Sequence, residues 1–112
     1  MTLILGIEST AHTLGVGIVE REGKSVKILS NEIDKFPSSA DGFIPRKLAD
    51  HHALCYPDVL EKSLQAAGVS LADVVAIAYS QGLGIGHSLR IGYVAGKTLA
   101  QSLKIPLIPV NH

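Results

Sequence analysis

The stretch Thr2–Glu20, TLILGIESTAHTLGVGIVE, decides the fold class. Its first part, Thr2–Ile7, is almost wholly apolar, which is typical of a strand buried on both faces of a sheet. The polar turn Glu8–Thr13 follows, and Leu14–Glu20 then alternates as a half-buried strand does. The stretch therefore predicts two strands joined by a short hairpin.

A charged turn that contains glycine, Arg21–Lys24, leads into a third predicted strand, Val26–Ile33, with Val26 and Ile28 on one face. Three strands joined by short turns form an antiparallel meander. After them, residues 36–42 read FPSSADG, and these turn-forming residues predict a loop. The beginning of the chain is therefore predicted to be β-structure.

From Pro45 onward the sequence changes to a helical period. The predicted helix Pro45–Ala67 carries an apolar stripe that consists of Leu48, Cys55, Val59, Leu60, Leu64 and Ala67. Pro57 lies within that stripe, so either the helix is kinked there or two helices meet. Gly68 is a suitable C-terminal stop, and Ser70–Asp73 can form a capping box.

Two more strands and one helix complete the predicted order. Val74–Ser80 is an apolar strand, His87–Lys104 is helical with Gly92 and Gly96 on a sheet-facing side, and Pro106–Val110 is a last short strand. The order predicts an α/β fold, a five-stranded mixed sheet with helices on its faces, in which only the second strand is antiparallel to the others. This arrangement is the ribonuclease-H-like core found in each lobe of actin-like ATPases.

The composition is that of one small globular domain. The chain has 112 residues, of which 46% are hydrophobic and 18% charged, and this argues against disorder. Its 10 basic and 10 acidic residues cancel, so the charge gives no reason to expect nucleic-acid binding by this segment. The single Cys55 excludes an internal disulfide and is typical of a reducing, cytoplasmic location. We expect neither a signal peptide nor a membrane span.

The turn Glu8–Thr13 is the first candidate site. A tight hairpin between buried strands directs backbone N–H groups and hydroxyls at one spot, and such a concavity binds phosphate. Glu8 can orient a metal-bound water, while Thr10, His12 and Thr13 can bond to phosphate or carbonyl oxygens. The alternative is an ordinary polar hairpin.

The glycine-rich turn Ser80–Gly86, SQGLGIG, is the second candidate site, because it lies between a predicted strand and a predicted helix. Such turns expose a helix N-terminus, whose N–H groups and dipole attract anions, so Gly82 and Gly84 are candidates for the phosphate side. The turn lacks the third glycine of the dinucleotide fingerprint and is not followed by the Walker Lys-Ser/Thr pair. The alternative is that its glycines serve close packing of a helix on the sheet.

His112 differs from the other histidines in its setting. It follows a predicted strand and Asn111, a plausible N-cap, so a metal ligand four residues later would share its helical face. His51 and His52 are adjacent and cannot form such a pair, so they are interpreted as surface or packing residues. His87 is predicted to lie in a first helical turn, where the helix dipole disfavours a protonated imidazole.

Five stretches of the chain, taken in order, resemble one family. They are Leu5–Thr13 (LGIESTAHT), Asp50–Ala53 (DHHA), Ile77–Gly82 (IAYSQG), Ser88–Gly92 (SLRIG) and Pro109–His112 (PVNH). Together they resemble the N-terminal third of the archaeal and eukaryotic catalytic subunit of tRNA threonylcarbamoyladenosine synthase, which belongs to the KEOPS complex. The resemblance extends over the whole length of the chain.

This resemblance implies an actin-like ATPase fold of two lobes, of which residues 1–112 form the N-terminal lobe and the C-terminal lobe is absent. It implies transfer of a threonylcarbamoyl group from its adenylate to the exocyclic amine of the adenine next to the tRNA anticodon. It also implies one iron or zinc ion, held by a His-x-x-x-His motif and a distant Asp, and an ATP or adenylate ligand. The expected partners are tRNA, through the full-length protein, and a KEOPS-type kinase and small subunits; a homodimer of this short chain is a further expectation.

The resemblance also assigns roles to single residues. His112 matches the first histidine of the metal motif, Glu8–Thr13 matches the first phosphate-side hairpin, and Gln81–Gly86 matches a Gly-Pro-Gly loop in which Leu83 replaces Pro. The candidates are Glu8 and His12 as catalytic residues, Thr10, Thr13, Gly82 and Gly84 on the phosphate or substrate side, and His112 as a metal ligand. The remaining ligands and the adenosine pocket are expected beyond His112, so the chain alone is expected to be inactive.

Two other functions compete with this interpretation. One is a non-catalytic paralogue that only dimerises with the catalyst and lacks the histidine pair, and Asn111 with His112 favours the catalytic branch over it. The other is an actin-like phosphotransferase such as a sugar or acetate kinase, which usually has Asp where Glu8 stands. A third alternative is that the isolated lobe is only a folding unit.

Overall fold

The computed structural model describes residues 2–9, 13–35, 45–81 and 86–111. The elements are β1 (Thr2–Glu8), β2 (Thr13–Glu22), β3 (Ser25–Lys35), α1 (Pro45–Ala67), a 3-10 turn (Leu71–Asp73), β4 (Val74–Gln81), α2 (Gly86–Leu103) and β5 (Leu107–Asn111). The predicted order of strands and helices is confirmed.

The five strands form one sheet in the order β3-β2-β1-β4-β5. β2 is antiparallel to both of its neighbours, β1 and β3, whereas β4 is parallel to both β1 and β5. It follows that β1, β3, β4 and β5 share one direction and that β2 alone runs against them, as the sequence predicts. The carboxyl ends of β1, β4 and β5 consequently lie along the same edge of the sheet.

A turn of two residues, Gly23 and Lys24, joins β2 to β3. Gly23 has a φ of 61°, a conformation that this kind of hairpin requires and that glycine adopts without a Cβ clash. The Nε of Arg21 donates a hydrogen bond to the Gly23 carbonyl at 3.0 Å. The predicted turn Arg21–Lys24 is therefore too wide, because backbone pairing continues through residue 22.

The long helix α1 covers the predicted span, Pro45–Ala67. It continues through Pro57 as one helix, so the alternative of two helices meeting there is wrong. Gly68 ends it with a φ of 70°, and the Gly68 N–H donates to the carbonyl four residues earlier at 2.9 Å. The capping box predicted at residues 70–73 is present, with reciprocal bonds between Ser70 and Asp73.

Three elements in the second half of the chain differ from the prediction by one residue at one end or at both: β4 (Val74–Gln81), α2 (Gly86–Leu103) and β5 (Leu107–Asn111). α2 ends at Leu103 because Lys104 has a φ of 56°, the left-handed conformation that commonly follows a helix. β5 is Leu107–Asn111 instead of Pro106–Val110, and the Pro106 carbonyl just before it accepts a hydrogen bond from the Ile77 N–H of β4 at 3.0 Å. Local sequence signals locate such ends to within a residue or two.

Both helices pack on the same face of the sheet. Leu5, Ile18 and Ile77 are cross-strand neighbours on that face, and none of them is exposed to solvent. α1 contacts β2 and β3, while α2 contacts β1, β4 and β5, and the two helices contact each other. Val26 and Ile28, predicted to share a face of the third strand, do so but are 66% and 71% exposed, because they lie on the other face. None of the helices in the described ranges is long and apolar enough to span a membrane.

Candidate functional site

The carboxyl ends of β1 and β4 and the adjacent part of β5 border a small, open cavity. Its volume is about 270 Å³, and its lining comprises Gly6, Ile7, Glu8, Ala78, Tyr79, Ser80 and Val110. In open α/β sheets, ligands bind at the carboxyl ends of the parallel strands, because loops and helix ends converge there. The sheet thus brings the two predicted sites, which follow β1 and β4, to one edge.

Glu8 is the last residue of β1, and its half-buried side chain lines this cavity. Its Cα pairs with that of Gly15 on β2, and a Cβ added to Gly15 would lie 3.9 Å from the Glu8 Cβ. Thr13 opens β2 on the other side of the same turn and is also half-buried. The structure therefore places Glu8 and Thr13 on the two sides of the turn between β1 and β2, and of these two only Glu8 lines the cavity.

The other predicted site residues cannot be placed. Thr10, His12, Gly82, Gly84 and His112 lie outside the described residues. Among the residues that are described, no group of three or more His, Cys, Asp and Glu side chains could hold a metal ion. The predictions of a phosphate side and of a metal ligand at His112 therefore stay predictions.

A buried serine of the first candidate turn, which the sequence analysis does not single out, contacts the first residue of the second turn. Ser9 follows β1 directly and is fully buried. Its N–H donates to the Ser80 hydroxyl at 3.2 Å, and its own hydroxyl accepts from the Gly92 N–H of α2 at 3.0 Å. The sequence predicts only that Gly92 lets the helix lie close to the sheet. The structure adds that its N–H is hydrogen-bonded to Ser9 at the end of β1.

Two titratable groups on α1 are perturbed by their surroundings. Burial raises the pKa of the Cys55 thiol, and the nearby carboxylate of Asp34, with which the thiol is hydrogen-bonded, raises it further. Burial also raises the pKa of Tyr56 to about 12. A thiol with a raised pKa is a poor nucleophile near neutral pH, so Cys55 does not have the character of a catalytic cysteine.

A larger groove, of about 610 Å³, lies between α1 and α2. Apolar side chains such as Tyr56, Leu60, Ile91 and Val94 dominate its lining, and Glu61 and Arg90 are its charged members. Among the described residues, none of the predicted site residues lines it. We therefore place the candidate site at the smaller cavity, where the strand ends and the Glu8 carboxylate meet.

Solved structures of similar fold agree with the topology. YeaZ from Pseudomonas aeruginosa aligns with 99% of this chain and 44% of its own length, with a TM-score of 0.75 at 22% identity. Thermus thermophilus RuvC covers 98% of this chain and 64% of its own length, with a TM-score of 0.58 at 17% identity. At these identities the likeness shows the fold alone, which is the predicted ribonuclease-H-like, actin-like ATPase type.

Comparisons of sequence are more specific. A protein named tRNA N6-adenosine threonylcarbamoyltransferase from Sulfurisphaera tokodaii is 47% identical over 109 residues, which is 97% of this chain and 32% of that protein. A protein of the same name from Methanopyrus kandleri is 46% identical over 111 residues, 98% of this chain and 31% of its own length. The chain thus spans about a third of the length of these curated relatives. A family model, "TsaD: tRNA N6-adenosine threonylcarbamoyltransferase", matches residues 26–112, and the chain therefore belongs to this family.

Proposed function

We propose that this chain is the N-terminal lobe of a tRNA N6-adenosine threonylcarbamoyltransferase. The full-length protein would transfer the threonylcarbamoyl group from its adenylate to the exocyclic amine of the adenine beside the anticodon. The family match over residues 26–112 is the observation that carries the proposal. Two relatives that share the name are 46% and 47% identical over nearly all of this chain, which supports the proposal.

The site at the sheet edge supports this chemistry. An acyl transfer to a weakly nucleophilic aromatic amine requires that adenylate and amine be held in attack geometry, and rigid strand ends provide such a frame. Glu8 lines the cavity there and is the candidate acid–base group, with His12 as its proposed neighbour in the same turn. Thr10 and Thr13 from the first turn, with Gly82 and Gly84 from the second, would contact the phosphate or the substrate.

We also propose that the full-length protein holds one iron or zinc ion. His112 would supply one imidazole ligand, and the resemblance to the family implies that the other ligands lie beyond residue 112. When bound, such an ion polarises the carbonyl that is attacked. Within this chain, the residues proposed above bind and orient the adenylate and move the proton.

The partners follow from the same proposal. The chain has no net charge, so the surface that binds tRNA would lie elsewhere in the full-length protein or on the KEOPS-type kinase and small subunits. Cytoplasmic tRNA is the proposed substrate, in keeping with a chain whose one cysteine has no second cysteine for an internal disulfide. The family match does not favour the alternatives of a non-catalytic dimerisation partner or a sugar or acetate kinase.

The test is a transfer assay with the full-length protein and its partners, with tRNA and threonylcarbamoyl adenylate as substrates. Glu8→Gln should lower the rate roughly 100-fold or more, because a general acid–base group contributes 10²–10⁴-fold. His112→Ala should lower both the rate and the metal content found by elemental analysis. Lys24→Ala is the matched control, since Lys24 is exposed in the turn at the opposite end of β2.

Two results would contradict the proposal. One is the absence of transfer by the wild-type protein with both substrates present. The other is a Glu8→Gln variant with wild-type kcat, which would remove the site at the end of β1 from the mechanism. A protein that consists of residues 1–112 alone should bind ATP more weakly than about micromolar, because it spans only about a third of the relatives' length, and calorimetry measures this directly.

A further inference from the structure

Ser9 occupies a junction of three elements. It follows the last residue of β1 and is fully buried, with the hydroxyl of Ser80 from β4 on one side and the backbone of α2 on the other. Ser80 is itself 9% exposed, so both hydroxyls are shielded from water. Each buried hydroxyl needs a partner within the protein, because an unpaired buried hydroxyl is destabilising.

The hydrogen bond between the Ser9 N–H and the Ser80 hydroxyl connects β1 to β4 beyond the last residue pair of their ladder. The parallel ladder between β1 and β4 ends where Ile7 pairs with Tyr79. One step further on, the Ser9 N–H donates to the Ser80 side chain at 3.2 Å. The carboxyl end of β1 is thereby fixed to β4 by a side-chain hydroxyl, at the position immediately after Glu8.

The hydrogen bond to Gly92 fixes the same point to α2. The Gly92 N–H donates to the Ser9 hydroxyl at 3.0 Å. Gly92 lies inside α2, where an N–H ordinarily donates only to a carbonyl of its own helix. A side chain can reach it because residue 92 has no Cβ, and an added Cβ would overlap the Ser9 hydroxyl oxygen.

We propose that Ser9 is a positioning residue for the transfer reaction, which rests on the function proposed above. It holds the carboxyl end of β1, and with it the carboxylate of Glu8, at a fixed place relative to β4 and α2. Glu8 and Ser80 line the same cavity, so a shift of β1 against β4 changes the shape of the site itself. Ser9 does not contact the reacting atoms in this scheme, and it acts through Glu8.

A pair of substitutions separates positioning from packing. Gly92→Ala alone introduces the overlap and should lower the melting temperature of the full-length protein. Ser9→Ala removes the hydroxyl that the new Cβ would meet, and the Cβ of residue 9 then lies 3.5 Å from the Cβ at position 92, an ordinary contact. The double variant Ser9→Ala/Gly92→Ala therefore restores the packing without restoring the hydrogen bond.

The expected result is a divergence between stability and activity. The double variant and Ser9→Ala alone should both melt within about 6 °C of wild type, since each lacks a single hydrogen bond. Both should show a kcat roughly 10- to 100-fold lower with an unchanged KM for tRNA, because small displacements of a catalytic group have large effects on the chemical step. Ser102→Ala, an exposed serine on the same helix, is the matched control and should keep both values.

Recovery of both melting temperature and kcat in the double variant would overturn the proposal and leave Ser9 as a packing residue only. Absence of transfer activity in the wild-type protein would refute the proposed function. The role of Ser9 is then decided by a measurement that does not depend on activity. Amide hydrogen exchange of the peptide containing residues 7–9 should be faster in Ser80→Ala than in wild type, because the Ser9 N–H then loses its acceptor, whereas Ser9→Ala removes only the hydroxyl that Gly92 contacts. Equal exchange in the two proteins would show that Ser9 does not fix the end of β1.

Discussion

Ser63 offers a stability prediction that the structure defines closely. It lies on the buried face of α1 and is fully shielded from solvent. Its hydroxyl donates to the Val16 carbonyl of β2 at 2.9 Å and lies 2.7 Å from the hydroxyl of Ser30 on β3. A serine hydroxyl has one proton, and Ser63 donates it to the Val16 carbonyl. Ser30 must therefore be the donor in the hydrogen bond between the two serines. The two serines therefore form a directed chain that ties the long helix to two strands.

The direction of these two hydrogen bonds determines how much stability each substitution removes. Ser63→Ala removes both hydrogen bonds and should cost about 1–3 kcal/mol, because Ser30, only 7% exposed, is left with a buried hydroxyl. Ser30→Ala removes one bond and leaves Ser63 paired with Val16, so its cost should be about 1 kcal/mol. The double variant should be about as stable as Ser63→Ala, which gives an interaction energy of about 1 kcal/mol.

Urea unfolding followed by circular dichroism measures these differences, and each 1 kcal/mol corresponds to about 4 °C in the melting temperature of a domain near this size. Ser102→Ala, exposed on α2, should change the midpoint by less than about 0.5 kcal/mol and serves as the control. Strictly additive losses in the double variant would refute the directed chain. A Ser63→Ala loss no larger than that of the control would refute the importance of the whole network.

Two further predictions concern the end and the middle of α1. Because burial raises the pKa of Tyr56 to about 12 from the ordinary 10.0, the unfolded chain ionises first, and stability should fall as pH rises from 10 towards 12. Urea midpoints across that range should show a smaller fall for Tyr56→Phe, and an identical fall would contradict the shift. Gly68→Ala should cost about 1 kcal/mol, because the φ of 70° is unfavourable for alanine although space is open around it. The exposed Gln65→Ala is the control for Gly68, and equal urea midpoints would disprove the strain.

Local signals explain why most of the fold could be predicted. The apolar run at Thr2–Ile7 and the helical stripe of α1 are patterns within single segments, and each gave the right element. The capping box at residues 70–73 and the stop at Gly68 depend only on neighbouring residues, and both are confirmed. Strand directions then follow from connection lengths, since short turns reverse the chain and helical crossovers restore its direction.

Burial was harder to predict than periodicity. Val26 and Ile28 alternate as a half-buried strand should, yet both are exposed, because β3 is an edge strand and these residues lie on the face opposite the helices. A period of two reports that side chains share a face, whereas it does not report which element covers that face. The same limit applies to Ser63, whose polar side chain lies inside the apolar interface of α1 because partners from two other strands meet it there.

The candidate site shows the same division between local and tertiary information. Glu8 and the turn after β4 could be placed at one edge from sequence alone, because β1 and β4 are predicted to be parallel and a parallel pair has its carboxyl ends together. The contact that fixes the strand ends there could not be predicted from the sequence, because Ser9 and Gly92 are 83 positions apart. Within its own segment neither residue is unusual, since Ser9 belongs to a polar turn and Gly92 to the packing face of a helix. Their contact is specific only because the buried hydroxyl meets a helical N–H that no side chain shields. If this contact positions Glu8, the residues that set the geometry of the site are those whose roles appear only after folding.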